Sequence, residues 1–161
     1  IRDCRRAVIG AVNGMALGGG LCLVAMCDIL VASDTAEVGL PEINVGLLGG
    51  ARQVMDLLGR TWLRTLAFTG NRMPASELYR LGIVQACVPA GDLMQSARDI
   101  AAQIAAKGNA VIRLTKVAAN AAEEMSLLHG TRLEHDLVAE LLLNDEAAGA
   151  MSAFMAARKN R

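Results

Sequence analysis

Hydrophobic positions change their spacing about one third of the way along the chain. Two short apolar runs, Ala7–Val12 and "DILVAS" (Asp28–Ser33), have the length and side-chain types of buried strands. Between them, Gly18–Cys27 has the apolar content of a buried helix that follows a glycine turn. The order of strand, glycine turn, helix and strand predicts an α/β first half.

A segment rich in glycine interrupts this pattern. The residues "AEVGLPEINVGLLGG" (36–50) contain four glycines and one proline, which predicts a loop with at most short strands. Loops of this kind frequently carry function. Helical spacing then begins in "RQVMDLL" and "TWLRTLAFTG", with Gly59 and Gly70 where helices would end.

Helical patterns dominate the rest of the chain. Pro74 opens a short helix closed by Gly82, and Ile83–Pro89 predicts a last short strand. Further helices are predicted over 92–107, 110–125, 127–143, and from 145 towards Arg158. We therefore expect an α/β region over 1–90 and a helical region over 91–161. The apolar faces of the last helices fit either packing onto the parent domain or a subunit interface.

Composition narrows the classes of partner. The chain has 161 residues, of which 53% are apolar and 2% aromatic, so its core is aliphatic and stacking on nucleic acid bases is disfavoured. Sixteen basic residues balance sixteen acidic ones without a long run of either sign. We therefore expect neither nucleic acid nor a membrane as a partner, but a small molecule or another subunit.

The four cysteines form no C-x-x-C pair, which predicts reduced thiols and no metal site. No apolar run has the length of a membrane span, and the first residues lack the apolar core of a signal peptide. These features predict a cytoplasmic protein. Because the chain begins at Ile1, almost at the first strand, we expect further residues to precede it.

The glycines of "NGMALGGGLC" (13–22) are compatible with three kinds of site. A phosphate-binding P-loop needs a Lys and a hydroxyl residue after the glycines, but Leu21 and Cys22 follow here. A short-chain dehydrogenase has a similar glycine spacing, and Asp34 stands where a ribose-binding acid would lie. That class also carries Tyr-x-x-x-Lys, whereas Ile83 stands four residues after Tyr79, the sole tyrosine.

The third possibility is an oxyanion site. A glycine-rich helix N-terminus presents free backbone N–H groups, and the missing Cβ atoms let a carbonyl approach the backbone. The candidate acid/base is Glu42, beside the rigid Pro41 and among apolar residues that would exclude water from its carboxylate. This possibility predicts carbonyl chemistry, with the dehydrogenase kept as an alternative.

Four ordered motifs resemble the crotonase superfamily of enoyl-CoA hydratases and isomerases. They are "AVIGAVNGMALGGGLCLVAMCDILVAS", "VGLPEINVGLLGG", "LAFTGNRMPASELYRLGIVQACVPAGDL" and "NDEAAGAMSAFMAARK". The resemblance implies an α/β fold in which residues 1–90 form the later part of a spiral of ββα turns. Residues 91–161 would form a helical trimerisation region, and earlier turns of the spiral would precede Ile1.

The resemblance also implies a ligand and its contacts. The ligand is an acyl-CoA thioester, with coenzyme A as part of the substrate and no other cofactor. Gly19 would donate one backbone N–H to the thioester carbonyl, with a second donor upstream, and Glu42 would be the catalytic acid/base. The substrate-binding residues would be Gly18, Gly20, Cys22, Pro41 and, on the CoA phosphate, Lys159. A homotrimer or a dimer of trimers is implied.

One departure from the family pattern bears on the reaction. Hydratases of the family usually carry two glutamates, but Cys22 occupies the position of the first, so that Glu42 stands alone. Adding water is best served by two carboxylates, whereas moving a double bond needs a single base that removes and returns a proton. Isomerase-like chemistry is therefore slightly favoured over hydration. A CoA-thioester-binding homologue with little catalysis is the alternative.

Overall fold

The computed structural model describes residues 1–144, 147–149, 155 and 158. Its contacts divide the chain into two compact units. The first consists of Ile1–Asp3 and Val8–Ala101, and the second of Cys4–Ala7 and Ala102–Arg161. The candidate site lies in the first unit.

The first unit alternates short strands with helices. Its strands are β1 (Ile9–Val12), β2 (Met15–Leu17), β3 (Ile29–Ser33), β4 (Glu37–Gly39), β5 (Arg72–Pro74) and β6 (Ala86–Val88). Its helices are α1 (Gly19–Ala25), α2 (Ala51–Thr69), α3 (Ala75–Arg80) and α4 (Leu93–Ala105), which runs past the unit boundary, together with a 3-10 helix (Pro41–Val45).

The strands form two three-stranded sheets. In one, β3 lies between β1 and β6 and is parallel to both. In the other, β4 lies between β2, to which it is parallel, and β5, to which it is antiparallel. Because β1 and β2 follow each other directly, as do β3 and β4, the chain alternates between the sheets.

Both faces of β3 are covered. Leu30 and Ala32 belong to the main aliphatic core, whereas Val31 packs with Leu93 and Ala97 of α4. Successive side chains of a strand point to opposite faces, so this alternation buries both sides of β3. The residues Ile29–Ala32 are continuously apolar for that reason.

The helices of the first unit meet in the main core. Its buried members include Leu21 of α1, four residues of α2 and two of α3: Val54, Leu58, Leu63, Leu66, Ala75 and Leu78. This core holds α1 and α2 close to β4. Both helices begin at the candidate site.

Most of the predicted elements are present with shorter bounds. The predicted strand 7–12 is Ile9–Val12, of which only Val12 is buried, and the predicted helix 18–27 is α1, of which only Leu21 is buried. Gly70 ends α2 in a left-handed conformation as predicted, whereas Gly59 (φ 68°) kinks a helix that continues on both sides. Strands β2 and β5 were not predicted, since three residues are too few for a periodic signal.

In the described stretch 106–144, the second unit contains two helices, α5 (Asn109–Ala122) and α6 (Leu127–Leu142), which pack against each other. Lys116 of α5 is buried, and its Nζ donates to the carbonyl of Arg6 at 3.2 Å. Arg113 pairs with Glu140 of α6 at 2.8 Å. None of the residues of α6 is buried. The helix predicted from residue 145 towards Arg158 lies largely outside the described residues.

Across the described ranges, none of the helices combines the length and the apolar character needed to cross a membrane.

Candidate active site

Glu42 is placed by a short connection from strand β4. Gly39 ends β4, and its carbonyl accepts a hydrogen bond from the Gly18 N–H at 2.9 Å, which joins the strand to the start of α1. Leu40 is then buried in the core, and Pro41 begins the 3-10 helix, where its fixed φ suits the first position. This hydrogen bond therefore holds the backbone close to Gly18 three residues before Glu42.

The Glu42 carboxylate lies directly against Gly18. A Cβ atom at Gly18 would collide with Oε1 of Glu42 and would lie 3.1 Å from its Cδ. Gly18 is also the residue before α1 and has φ 55° and ψ −119°, a conformation that residues with a Cβ rarely adopt. Two separate requirements therefore select glycine at this position.

One oxygen of this carboxylate is buried without a partner. Oε2 of Glu42 is shielded from solvent and has no hydrogen-bond partner among the described residues. Buried carboxylate oxygens are normally hydrogen-bonded, and an exception calls for an explanation. A role of the Glu42 carboxylate as the acceptor of a proton from a ligand is one such explanation.

The start of α1 is open beside Glu42. Gly19 is exposed, and Cβ atoms at Gly19 and Gly20 would meet no atom of the described residues within 4 Å outside their chain neighbours and the backbone of α1. No side chain in the described part of the chain caps this end of α1. The first backbone N–H groups of a helix lack partners within the helix, so this end is suited to a carbonyl oxygen or an oxyanion.

Cys22 occupies the next turn of α1. Its backbone N–H donates to the Gly18 carbonyl at 3.1 Å, and its side chain approaches the segment that leads into α2. A Cβ at Gly50 would lie 2.8 Å from Cys22 Sγ and 3.1 Å from Cδ2 of Leu40. A Cβ at the preceding Gly49 would lie 3.8 Å from Glu42 Oε1. The thiol and the carboxylate therefore contact neighbouring residues of the same backbone segment.

The structure thus brings together most of the predicted site residues. Gly18, Gly19, Cys22, Pro41 and Glu42 all lie at the start of α1 or on the segment facing it. Lys159 lies outside the described residues. Gly49 and Gly50 were not among the predicted site residues, although a Gly-Gly pair immediately before a predicted helix is a signal for close packing.

The described residues contain no group of three or more His, Cys, Asp or Glu side chains placed to hold a metal ion.

Comparisons with known proteins show the family of this chain. The enoyl-CoA hydratase/isomerase family model matches residues 1–161. A (7aS)-7a-methyl-1,5-dioxo-2,3,5,6,7,7a-hexahydro-1H-indene-carboxyl-CoA hydrolase of Rhodococcus jostii is 42% identical over 143 residues, which are 89% of this chain and 55% of that protein. A short-chain-enoyl-CoA hydratase of Clostridium acetobutylicum is 33% identical over 157 residues, which are 96% of this chain and 60% of that protein.

A solved crystal structure has the same fold as this chain. The crystal structure of an enoyl-CoA hydratase from Bacillus anthracis matches with a TM-score of 0.91 and 30% identity, over 96% of this chain and 61% of that one. The fold and its match to this structure define a mixed α/β protein of the crotonase type. The chain belongs to the enoyl-CoA hydratase/isomerase family. The family and fold class predicted from the motifs are confirmed, and the chain spans less than two thirds of the length of these relatives.

Proposed function

We propose that this chain forms the acid/base part of an acyl-CoA-processing active site of the enoyl-CoA hydratase/isomerase type. Glu42 moves the proton, and the Gly19 N–H is one donor to the thioester carbonyl. The observation that carries the proposal is the buried, unpartnered Oε2 of Glu42 next to the open start of α1. Gly18, Gly20 and Pro41 shape the backbone around these two groups.

The proposed chemistry proceeds through an enolate. The carboxylate of Glu42 removes a proton from a carbon activated by the thioester, and the electron pair moves onto the carbonyl oxygen. A backbone N–H aimed at that oxygen stabilises the charge by about 2.7–4 kcal/mol. The protonated Glu42 then returns the proton to a different carbon, so the double bond moves and no atom is gained or lost.

The side chain of Cys22 favours this isomerase-like reaction over addition of water. A thiol binds and orients water weakly, and Gly50 lies close to Sγ, since a Cβ at Gly50 would be 2.8 Å from it. Water addition is better served by a second carboxylate beside Glu42. Relatives named as a hydratase and as a ring-system CoA hydrolase show that different reactions occur within the family.

The proposal is tested by Glu42→Gln in the full-length protein. The amide keeps the shape of the side chain but cannot accept the proton, so we expect turnover of enoyl-CoA esters to fall by about 100-fold or more. Glu37→Gln is the matched control, because Glu37 is a half-exposed carboxylate that pairs with Arg72 at 3.2 Å. Equal turnover by the Glu42 variant and the control would remove Glu42 from the mechanism.

The alternative is a CoA-thioester-binding homologue with little catalysis, which the single carboxylate supports. The two functions differ in proton exchange at the α- or γ-carbon of a bound thioester in deuterated water. An enzyme of the proposed type exchanges these protons at a rate that depends on Glu42, whereas the binding homologue retains them.

The proposed function also implies which molecules this protein binds and where it acts. The substrate brings its own coenzyme A, and no other cofactor is required. The exposed apolar residues of α6 support assembly with further copies of the chain as a homotrimer or a dimer of trimers. A cytoplasmic location stays a prediction.

A further inference from the structure

The turn that joins α2 to β5 packs against the segment that carries Glu42. This turn consists of Gly70 and Asn71. Before Glu42 in the sequence, a Cβ at Gly39 would lie 3.0 Å from the carbonyl oxygen of Asn71. Two residues after Glu42, the side chain of Asn44 lies against Gly70. The turn therefore contacts the chain on both sides of the proposed acid/base residue.

The side-chain amide of Asn44 lies with its face on Gly70. A Cβ at Gly70 would lie 2.7 Å from Nδ2, 2.8 Å from Oδ1 and 3.0 Å from Cγ of Asn44. Because these three atoms of the planar amide are nearly equidistant from the Cβ position, the plane of the amide faces the glycine. Gly70 has φ 66° and no side chain, so the flat amide reaches its backbone. Any larger residue at position 70 would push the amide away.

Hydrogen bonds fix the turn to the end of α2. The Gly70 N–H donates to the carbonyl of Leu66 at 2.9 Å, and Leu66 is buried in the main core. The Thr69 hydroxyl donates to the Thr65 carbonyl at 2.6 Å and accepts a hydrogen bond from the Asn71 N–H at 3.2 Å. The turn is thus held by α2 and gives the amide a fixed surface to rest on.

The 3-10 helix that carries Glu42 depends on contacts of this kind. None of its residues, Pro41–Val45, is buried. Because a 3-10 helix has three residues per turn, side chains two positions apart leave it about 120° from each other. The Glu42 carboxylate contacts Gly18 before α1, and the Asn44 amide contacts Gly70 after α2. The short helix is therefore held between the start of α1 and the end of α2.

We propose that Asn44 is a positioning residue for Glu42, and that it acts through its contact with Gly70. The inference rests on the proposed function and adds a residue to the same site. Asn44 acts on the backbone that places the Glu42 carboxylate, rather than on the substrate. Misplacing a reacting group by about 1 Å costs about 100-fold in rate. Loss of the contact should therefore lower kcat and leave KM nearly unchanged.

The first test compares Asn44→Ala with Gln103→Ala in the full-length protein. Each substitution removes an exposed side-chain amide, and Gln103 lies on α4. We expect Asn44→Ala to lower kcat for an enoyl-CoA ester about tenfold or more and to keep KM within about twofold. Gln103→Ala should keep both constants, and melting temperatures verify that both variants are folded. Equal kcat values of the two variants overturn the inference, and so does a raised KM at unchanged kcat.

A second test separates the contact with Asn44 from the strain of a positive φ. Gly70→Ala and Gly82→Ala each place alanine at a positive φ after a helix. The new methyl group meets the Asn44 amide at position 70, whereas at position 82 it stands in open space among the described residues. Both variants should melt at a lower temperature, but only Gly70→Ala should lower kcat, by about 100-fold.

The double variant Gly70→Ala with Asn44→Ala completes this test. Removal of the amide makes room for the methyl group, so its kcat should equal that of Asn44→Ala alone. Losses that multiply in the double variant would mean that the two residues act separately, which overturns the inference. If Gly70→Ala does not fold, the comparison of Asn44→Ala with Gln103→Ala decides the question by itself.

Failure of this inference differs from failure of the proposed function. If Glu42→Gln loses turnover while Asn44→Ala matches Gln103→Ala, only the inference is wrong. If Glu42→Gln turns over enoyl-CoA esters like the unchanged protein, the proposed function and the inference fall together.

Discussion

The carboxylate of Glu42 rests on the backbone of Gly18 at the point where helix α1 begins. The contact leaves no room for a Cβ at Gly18. It also brings Oε2 of Glu42 to the start of α1, where no side chain caps the helix. Within the described part of the chain, Oε2 is the only buried side-chain oxygen without a hydrogen-bond partner. Two segments more than twenty residues apart in sequence meet at this contact.

Replacing Gly18 by alanine should displace Glu42. The new methyl group collides with Oε1, and the φ of 55° is unfavourable for alanine, so we expect a loss of about 1–3 kcal/mol in the free energy of unfolding. A displaced acid/base should lower kcat by about 100-fold. Urea unfolding and steady-state kinetics measure the two effects.

Gly14→Ala is the control for this experiment. Gly14 has neither a positive φ nor, among the described residues, any atom within 4 Å of its Cβ position. Its substitution should therefore change stability and kcat little. If both alanine variants lose activity equally, the contact between Gly18 and Glu42 does not position the carboxylate.

Gly50 and Cys22 should be energetically coupled. Gly50→Ala introduces a methyl group 2.8 Å from Cys22 Sγ at a φ of 73°, whereas Gly82→Ala introduces one at the same φ in open space. The Gly82 variant should lose about 1–2 kcal/mol in the free energy of unfolding, which is the cost of placing alanine at a positive φ. The Gly50 variant should lose more, because its methyl group also meets the thiol.

A double-mutant cycle isolates the stability loss of Gly50→Ala that comes from the contact with the Cys22 thiol. Combining Gly50→Ala with Cys22→Ala removes the sulfur, and we expect a coupling energy of about 0.5–3 kcal/mol. Unfolding free energies of the four proteins give this value. Strictly additive effects would mean that the backbone conformation alone selects glycine at position 50.

Bound substrate should protect Cys22 from alkylation. If the thiol lines the acyl-CoA site, a thioester at ten times its dissociation constant should slow iodoacetamide labelling of Cys22 about tenfold, because only the free fraction reacts. Peptide mass spectrometry follows each cysteine separately. Cys4 is exposed in the second unit and serves as the internal control, which should react at the same rate with and without ligand. Equal protection of both cysteines would argue against a site at Cys22.

Charges on the apolar side of α6 should prevent assembly. Val138 and Leu142 are exposed, and they lie one turn apart on the same side of the helix. If this side joins copies of the chain, Val138→Asp with Leu142→Asp should lower the molecular mass in light scattering to that of the monomer. Asp136→Ala leaves the assembly intact, since position 136 lies about a quarter turn or more from this side. An unchanged mass in the charged variant would place the interface elsewhere.

Local patterns predicted the elements that are long or marked by glycine and proline. The helical spacing after residue 50 predicted α2, and the apolar run "DILVAS" predicted β3, because each pattern extends over enough residues to be recognised. Strands β2 and β5 were missed for the opposite reason. Each has three residues, and each is stabilised by pairing with β4, which a local pattern does not contain.

The sequence by itself determined the chemistry available at the candidate site: a glycine-rich helix start, a glutamate beside a proline, and a cysteine two residues after the glycines. The tertiary structure decided which of these groups meet. Glu42 lies against Gly18, and Cys22 lies against Gly50, because β4 pairs beside β2 and because α1 and α2 share one core. Contacts between distant segments depend on this packing, and no periodicity within a single segment encodes them.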